Sequence, residues 1–182
     1  MRKIFIGGSR SVTRLDADAR ARLDGILREG LPIVIGDANG ADRAVQQYLK
    51  GRGYAHVEVF CAAGSCRNNV GGWPVREIPA TAPSQRKTFR DHTAKDRRMA
   101  EECSSGIMLW DGRSPGTALN VLRLLRAGKP VAVYLTAQCR FTDLRNREDW
   151  DGFAALCEDE VRERVEREVA FEANTASQGI LF

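Results

Sequence analysis

Apolar residues come in short, nearly unbroken runs, and each run is followed by a stretch in which they recur every three or four positions. Lys3 to Ile6 is β-rich and stops at Gly7-Gly8, after which Leu15, Ala19, Leu23, Ile26 and Leu27 share one face of a helix. Pro32 to Ile35 reads as a second buried strand closed by Gly36-Asp37, and Ala41, Ala44, Val45, Tyr48 and Leu49 mark a helix from Gly40 onward. His56 to Phe60 is a third strand. A helix from about His92 to Cys103 leads to a fourth, Gly106 to Trp110, and a helix over Ala118 to Ala127, ended by Gly128, leads to a fifth, Val131 to Leu135. Strands that lack polar alternation and are separated by helices predict a parallel sheet covered on both faces. The expected fold class is α/β: a Rossmann-like, doubly wound, mainly parallel sheet with its strands in the order 3-2-1-4-5.

Two segments break the alternation. Residues 62–90 contain Gly, Pro and Asn and are longer than an ordinary connection, so a long functional loop is expected there. From Asn146 onward Trp150, Phe153, Cys157, Val161, Val165 and Val169 step by three and four through charged residues, which predicts a C-terminal amphipathic helix. That stripe either packs on the edge of the sheet or covers a second copy, and a homodimer is expected on the second reading. The organisation follows as a binding domain over 1–145 and a helical extension over 146–182.

Composition narrows the function classes. With 43% hydrophobic and 29% charged residues in 182, the chain is one folded domain rather than a disordered one. No apolar run approaches the ~20 residues of a membrane span, and no export signal precedes the first strand, so a cytoplasmic protein without a membrane partner is expected. Five cysteines in that setting predict free thiols; Cys61 and Cys66 are too far apart for a CxxC pair, and no metal set has familiar spacing. The net charge of +4 suits an anionic ligand. It falls short of a strong basic footprint, so nucleic acid is disfavoured as a partner; a single-stranded nucleic-acid surface would have to use the Arg86 to Arg98 stretch and Trp73.

Three polar, glycine-containing turns lie at the carboxyl ends of predicted strands: Gly7-Gly8-Ser9-Arg10, Gly36 to Asp42, and Asp111 to Thr117. In the 3-2-1-4-5 order the winding reverses between the first and fourth strands, which opens a crevice bordered by the first and last of these turns. Glycines allow backbone N–H groups to approach an anion, and the helix beginning near Gly116 offers unpaired donors and a positive dipole end. Ser114 and Thr117 add hydroxyls, and Arg10 and Arg113 add charge. Ser114 is equally well placed as an N-cap, with Pro115 as the first helical residue. Asp111 suits a ribose hydroxyl, an amine or a bound cation such as Mg2+, whereas Asp42 complements the start of its own helix. Neither histidine neighbours a nucleophile motif, and both the GxGxxG fingerprint and the P-loop are absent, which argues against hydrolytic triads, ordinary NAD dehydrogenases and nucleotide triphosphatases.

Taken together, Gly7 to Arg10, Gly36 to Asp42, Arg67-Asn68-Asn69, Lys95 to Met99 and Trp110 to Thr117 resemble the SLOG superfamily, named for the Smf/DprA and Lonely Guy proteins, and most of all its YspA/YpsA-type branch. The resemblance covers about residues 1–136. It implies a Rossmannoid domain that takes a nucleoside monophosphate, ADP-ribose or NAD-like ligand as a sensor or signalling protein. Carried over by motif, the binding residues are Gly8, Ser9, Arg10, Asp37, Gly40, Arg67, Asn68, Asp96, Asp111, Gly112, Ser114, Gly116, Thr117 and Asn120. Lonely Guy enzymes cleave an N-glycosidic bond with a glutamate in their Gly-Thr-x-x-Glu turn. Here Asn120 stands in its place, and an amide cannot serve as that carboxylate. The resemblance therefore implies binding, with N-glycosidic cleavage as an alternative that would need Asp96 or Asp111 as a substitute, and DprA-like single-strand binding as a second alternative.

Overall fold

In a computed structural model, residues 2–62, 66–79 and 89–178 are described. They run β1 (Ile4–Gly8), α1 (Ala17–Arg28), β2 (Ile33–Gly36), α2 (Ala41–Gly51), β3 (Val57–Ala62), β4 (Val75–Ile78), α3 (Phe89–Glu102), β5 (Ser105–Trp110), α4 (Pro115–Arg126), β6 (Val131–Leu135), β7 (Arg140–Leu144), α5 (Arg147–Ala154) and α6 (Asp159–Gln178). The strands form one sheet in the order β4-β3-β2-β1-β5-β6-β7. All neighbours are parallel except β6 and β7. The five predicted strands occupy the centre in their predicted order.

Both edges correct the sequence reading. The expected loop over 62–90 holds an edge strand, β4, paired with β3 from Val59↔Val75 to Ala62↔Ile78. On the other side β7 returns antiparallel along β6. There the Tyr134 and Phe141 rings meet at 4.9 Å, and the Arg22 guanidinium stacks on Phe141.

Alternate side chains of each central strand point to opposite faces, which is why the runs are apolar throughout. Phe5, Val34, Phe60, Met108 and Trp110 face one core, closed by residues of α3, α4, α5 and α6. Ile4, Ile6, Ile35, Val59, Ile107 and Leu109 face the other, closed by α1 and α2. The C-terminal stripe is divided between two helices, not one: α5 ends at Ala154 and α6 begins at Asp159. Trp150, Phe153, Cys157, Val161 and Val165 are all buried in the chain's own first core, with Val169 partly buried against it, so the stripe packs on its own chain.

Two glycines make the switch point possible. A Cβ on Gly8 would stand 2.8 Å from the Ala41 Cβ and 2.9 Å from the Leu109 Cβ, and it would strike the Leu109 carbonyl. Gly40 has φ +84° and presses against the Arg10 backbone, where a side chain has neither the conformation nor the room. Gly8→Ala is expected to lower unfolding free energy in urea by about 1–3 kcal/mol through overpacking. Gly25→Ala, in α1 with no close neighbour but the tip of Arg28, is expected to raise it by about 0.4–1 kcal/mol in the same measurement.

Candidate functional site

The first and fourth predicted strands do lie side by side. Register runs from Ile4↔Ser105 to Gly8↔Leu109, and the Ser9 N–H extends it by donating to the Leu109 carbonyl at 2.9 Å. Beyond that point the two turns bind each other through side chains. The Ser9 hydroxyl donates to Asp111 Oδ1 at 2.9 Å and accepts the Asp111 N–H at 3.1 Å. It also lies 3.3 Å from the Thr117 hydroxyl. Asp111 Oδ1 takes the N–H groups of Arg113 and Ser114 at 2.9 and 2.8 Å as well, and Oδ2 takes the Ser11 hydroxyl at 2.6 Å. Burial alone would raise the Asp111 pKa, but the Ser11 hydroxyl and the two amides outweigh it and keep the carboxyl below its ordinary value. Four donors occupy this carboxylate, which makes it the tie between the turns, in contrast to the expected ligand for ribose or a cation.

α4 begins as the capping chemistry predicts. Ser114 is the N-cap, its Oγ accepting the Thr117 N–H at 3.3 Å, and Pro115 opens the helix. The Gly116 N–H has no partner within the helix at this position, and the space where a Gly116 side chain would stand is open for 4 Å. A cleft of about 480 Å3 lies over this helix end, lined by Gly8, Arg10, Ser114, Gly116 and Thr117 on one side.

The opposite side is charged. Asp37, at the end of β2, is 1% exposed. It accepts the Arg67 backbone N–H at 3.1 Å, Arg67 Nε at 3.2 Å and Nη2 at 2.7 Å, together with Lys95 Nζ at 3.2 Å. Burial opposes this charge, but the Arg67 hydrogen bond and the Lys95 ammonium win, holding the Asp37 carboxyl well below the usual carboxylate range. Lys95, itself buried, also pairs with Asp96 at 3.5 Å. Burial works against the ammonium, and the surrounding Asp96, Asp42 and Asp37 more than compensate, so its pKa rises. Asp42 faces the cleft from α2 and accepts the Ala38 N–H at 3.0 Å. Its burial, with Asp96 and Asp37 adding to the effect, pushes it up to about 6 despite Lys95.

From Asp96 the network continues across α4 to α6. Asn120 Nδ2 donates to Asp96 at 3.1 Å, and the Asn120 carbonyl oxygen accepts Arg123 Nη1 at 2.6 Å. Arg123 pairs with Glu172, which Arg97 also reaches at 3.2 Å. Burial raises the Glu172 pKa, but Arg123 and Arg97 bring it below its ordinary value. Asn120, in the place of the family glutamate, is thus held at both ends.

Of the residues singled out from sequence, Gly8, Arg10, Arg67, Asp96, Asp111, Ser114, Gly116, Thr117 and Asn120 line the cleft. Ser9 and Asp37 lie fully buried behind it, where they fasten the turns and Arg67. Gly40, Gly112 and Asn68 are outside the lining; Asn68 Nδ2 bonds the Asp37 carbonyl at 2.8 Å and Asn39 at 3.0 Å. Sequence reading missed Thr93, Arg123 and Arg164 as wall residues, quoted Lys95 in a motif without assigning it to the site, and treated Asp42 as structural, yet all five line the cleft. Thr93 and Arg123 stand within one or two helical turns of a quoted motif, whereas Arg164, in α6, carried no local cue.

Other expectations are corrected outright. Cys61 and Cys66 are joined as a disulfide, so only Cys103, Cys139 and Cys157 are free among the described residues. Trp73 is buried, with its indole N–H on the Tyr54 carbonyl at 2.9 Å, and cannot stack on a base. In the basic stretch, Arg97 and Arg98 are paired with glutamates, while Arg86 and Lys87 and the side chain of Arg90 lie outside the described residues. No described helix is long and apolar enough to cross a membrane.

No protein-family model and no curated protein matches the chain. A match does exist among solved structures. The chain is similar in fold to DNA processing protein A from Helicobacter pylori. The TM-score is 0.57 at 13% identity, covering 93% of this chain and 80% of that one. The likeness establishes the Rossmann-like fold that the SLOG resemblance implies. That protein is described as having a single-stranded DNA binding mode, and this overturns the expectation that nucleic acid is disfavoured. A modest net charge is no argument against such a partner when the same fold serves it elsewhere.

Asp42 gives the site a pH signature. Its native pKa of about 6 lies above the unfolded value near 4. The native state therefore binds the extra proton between about pH 4 and pH 6, and the Asp42 contribution to stability falls as pH rises through that window. Urea denaturation across this range should show the wild type losing stability relative to Asp42→Asn as pH rises, by on the order of 3 kcal/mol in all. Equal slopes for the two proteins would count against the assignment.

Proposed function

We propose that the cleft between β1 and β5 binds a nucleotide-type ligand, its phosphate seated on the N-terminus of α4. One observation carries this reading: the open Gly116 end of α4 and the turn after β1, side by side, line a cleft of about 480 Å3, a volume suited to a nucleotide-sized molecule. Arg10 and Arg113 flank the helix end, and Arg67, Lys95, Arg123 and Arg164 line the rest; Asp42, Asp96 and Asp111 line it too, and Asp37 and Glu172 pair with Arg67, Lys95 and Arg123 from behind. An anion at a helix N-terminus gains from both the unpaired N–H groups and the dipole. The inner carboxylates Asp42 and Asp96 are placed to accept hydroxyl or amine hydrogen bonds from the sugar or base. The proposed ligands are a nucleoside monophosphate, ADP-ribose or an NAD-like molecule, and the proposed role is that of a sensor, as the YspA/YpsA-type resemblance suggests.

The likeness to DNA processing protein A favours a second reading, in which the phosphate is one unit of a single-stranded nucleic acid lying across the same cations. The two are separated by what binds. AMP and ADP-ribose are titrated by calorimetry, and a labelled poly-dT strand by fluorescence anisotropy at several salt concentrations. The first reading expects saturable binding of a mononucleotide. The second expects strand binding that weakens steeply with salt while AMP does not compete.

Gly116→Asp is the informative variant for both. The added side chain meets nothing within 4 Å, and a carboxylate in the first turn of a helix is stabilising, so the fold should be unharmed. Its charge at the phosphate position should weaken phosphate binding about tenfold or more. Undiminished binding by a folded Gly116→Asp protein would remove the α4 N-terminus from the site.

A further inference from the structure

Cys61 and Cys66 border the cleft without lining it. Cys61 is fully buried near the end of β3, and Cys66 is half-buried at the head of the segment that carries Arg67. Their Cα atoms are 5.2 Å apart, within the usual span of a disulfide. An Asp37 carboxylate oxygen and the two sulfurs all lie within 4.8 Å of one another. The residue after Cys66 is Arg67, whose backbone N–H and guanidinium both bind that same carboxylate. The bridge thus fastens to β3 the point from which a cation reaches the cleft.

The rest of the segment is fastened independently. Gln46 Nε2 donates to the Asn68 carbonyl at 3.2 Å, the Val70 N–H donates to Gln46 Oε1 at 2.9 Å, and the Trp73 N–H donates to Asn69 at 3.0 Å. Opening the bridge therefore removes the covalent tie between Cys66 and β3 and leaves Arg67 held at Asp37 by its hydrogen bonds alone, with 68–73 in place. A cation bound by Asp37 and the two sulfurs is opposed by Arg67 and Lys95, which already bring two positive charges onto Asp37.

We propose that Cys61 and Cys66 are a site of reversible oxidation by low-molecular-weight disulfides, and that the state of the pair sets how firmly Arg67 is held at the cleft. The more accessible Cys66 thiolate attacks the small disulfide and expels one thiolate, leaving a mixed disulfide on Cys66. The Cys61 thiolate then attacks the Cys66 sulfur and expels the second. Two protein thiols lose two protons and two electrons in forming one S–S bond, and the small disulfide is reduced to two thiols. The effect on ligand affinity rests on the function proposed above; the couple and the anchoring of Arg67 do not.

The test uses the full chain equilibrated in glutathione buffers of graded ratio. Thiol trapping and mass spectrometry should find Cys61 and Cys66 passing together between dithiol and disulfide, with Cys103 and Cys157 remaining thiols. Hydrogen exchange of the peptide spanning 66–70 should be slower in the disulfide form, and Cys66→Ser should exchange at the fast rate in every buffer. AMP should bind about tenfold more weakly to the dithiol form and to Cys66→Ser, a coupling within the ordinary range. A pair that never interconverts in these buffers overturns the proposal, and so does equal exchange at 66–70 in both states. If AMP binds neither form, the nucleotide reading fails while the trapping and exchange results still decide the couple.

Discussion

Between the ends of β1 and β5, Ser9 and Asp111 exchange two hydrogen bonds, and the Asp111 carboxylate gathers three further donors from Ser11, Arg113 and Ser114. Every cleft residue supplied by the two turns takes its position from this knot. It forms only because Gly8 lets β5 and α2 come within contact distance of β1. The Thr117 hydroxyl joins from the first turn of α4, so the helix end that faces the cleft is held in register with both strands. A carboxylate that accepts so many donors becomes part of the scaffold, and the anion-binding capacity passes to the N–H groups and hydroxyls it leaves unused.

The floor of the cleft is built on a second principle, charge balance among buried and half-buried groups. Arg67, Asp37, Lys95, Asp96, Asn120, Arg123 and Glu172 form a continuous polar path, with cations and anions interleaved. Buried charges persist only when paired and hydrogen-bonded, and here each member is satisfied by neighbours from a different element. Asn120 fits this path as an amide: it donates to Asp96 and accepts from Arg123, which an ionised glutamate cannot do.

The five central strands were legible because their apolar runs are too continuous for a solvated face, and their order followed from handedness. The edge strands were not. Val75-Arg76-Glu77-Ile78 and Arg140 to Leu144 carry charges on short segments that look like loops until a neighbour pairs with them. The break between α5 and α6 was hidden because Phe153, Cys157 and Val161 keep helical spacing across it. In the site, the turns announced themselves through glycine, serine and proline, whose backbone roles are local. Arg123 and Arg164 did not, since a charge in a helical sequence looks the same whether it faces water or a cleft. Which of the two occurs is decided by α3 and α4 packing together and by α6 crossing them, contacts that no local pattern encodes.

The two margins of the sheet are finished in different ways with the same result. β4 is four residues long, bounded by Pro74 and Pro79, and Arg76 reaches over it to Glu58 and Glu102. β7 runs against its neighbours' direction and carries Arg140 and Asp143, the latter clasped by Arg22. Brevity, proline and outward charge make both margins poor templates for a foreign backbone. Runaway strand addition between molecules, the usual hazard of an open sheet with so apolar an interior, is thereby discouraged at each side.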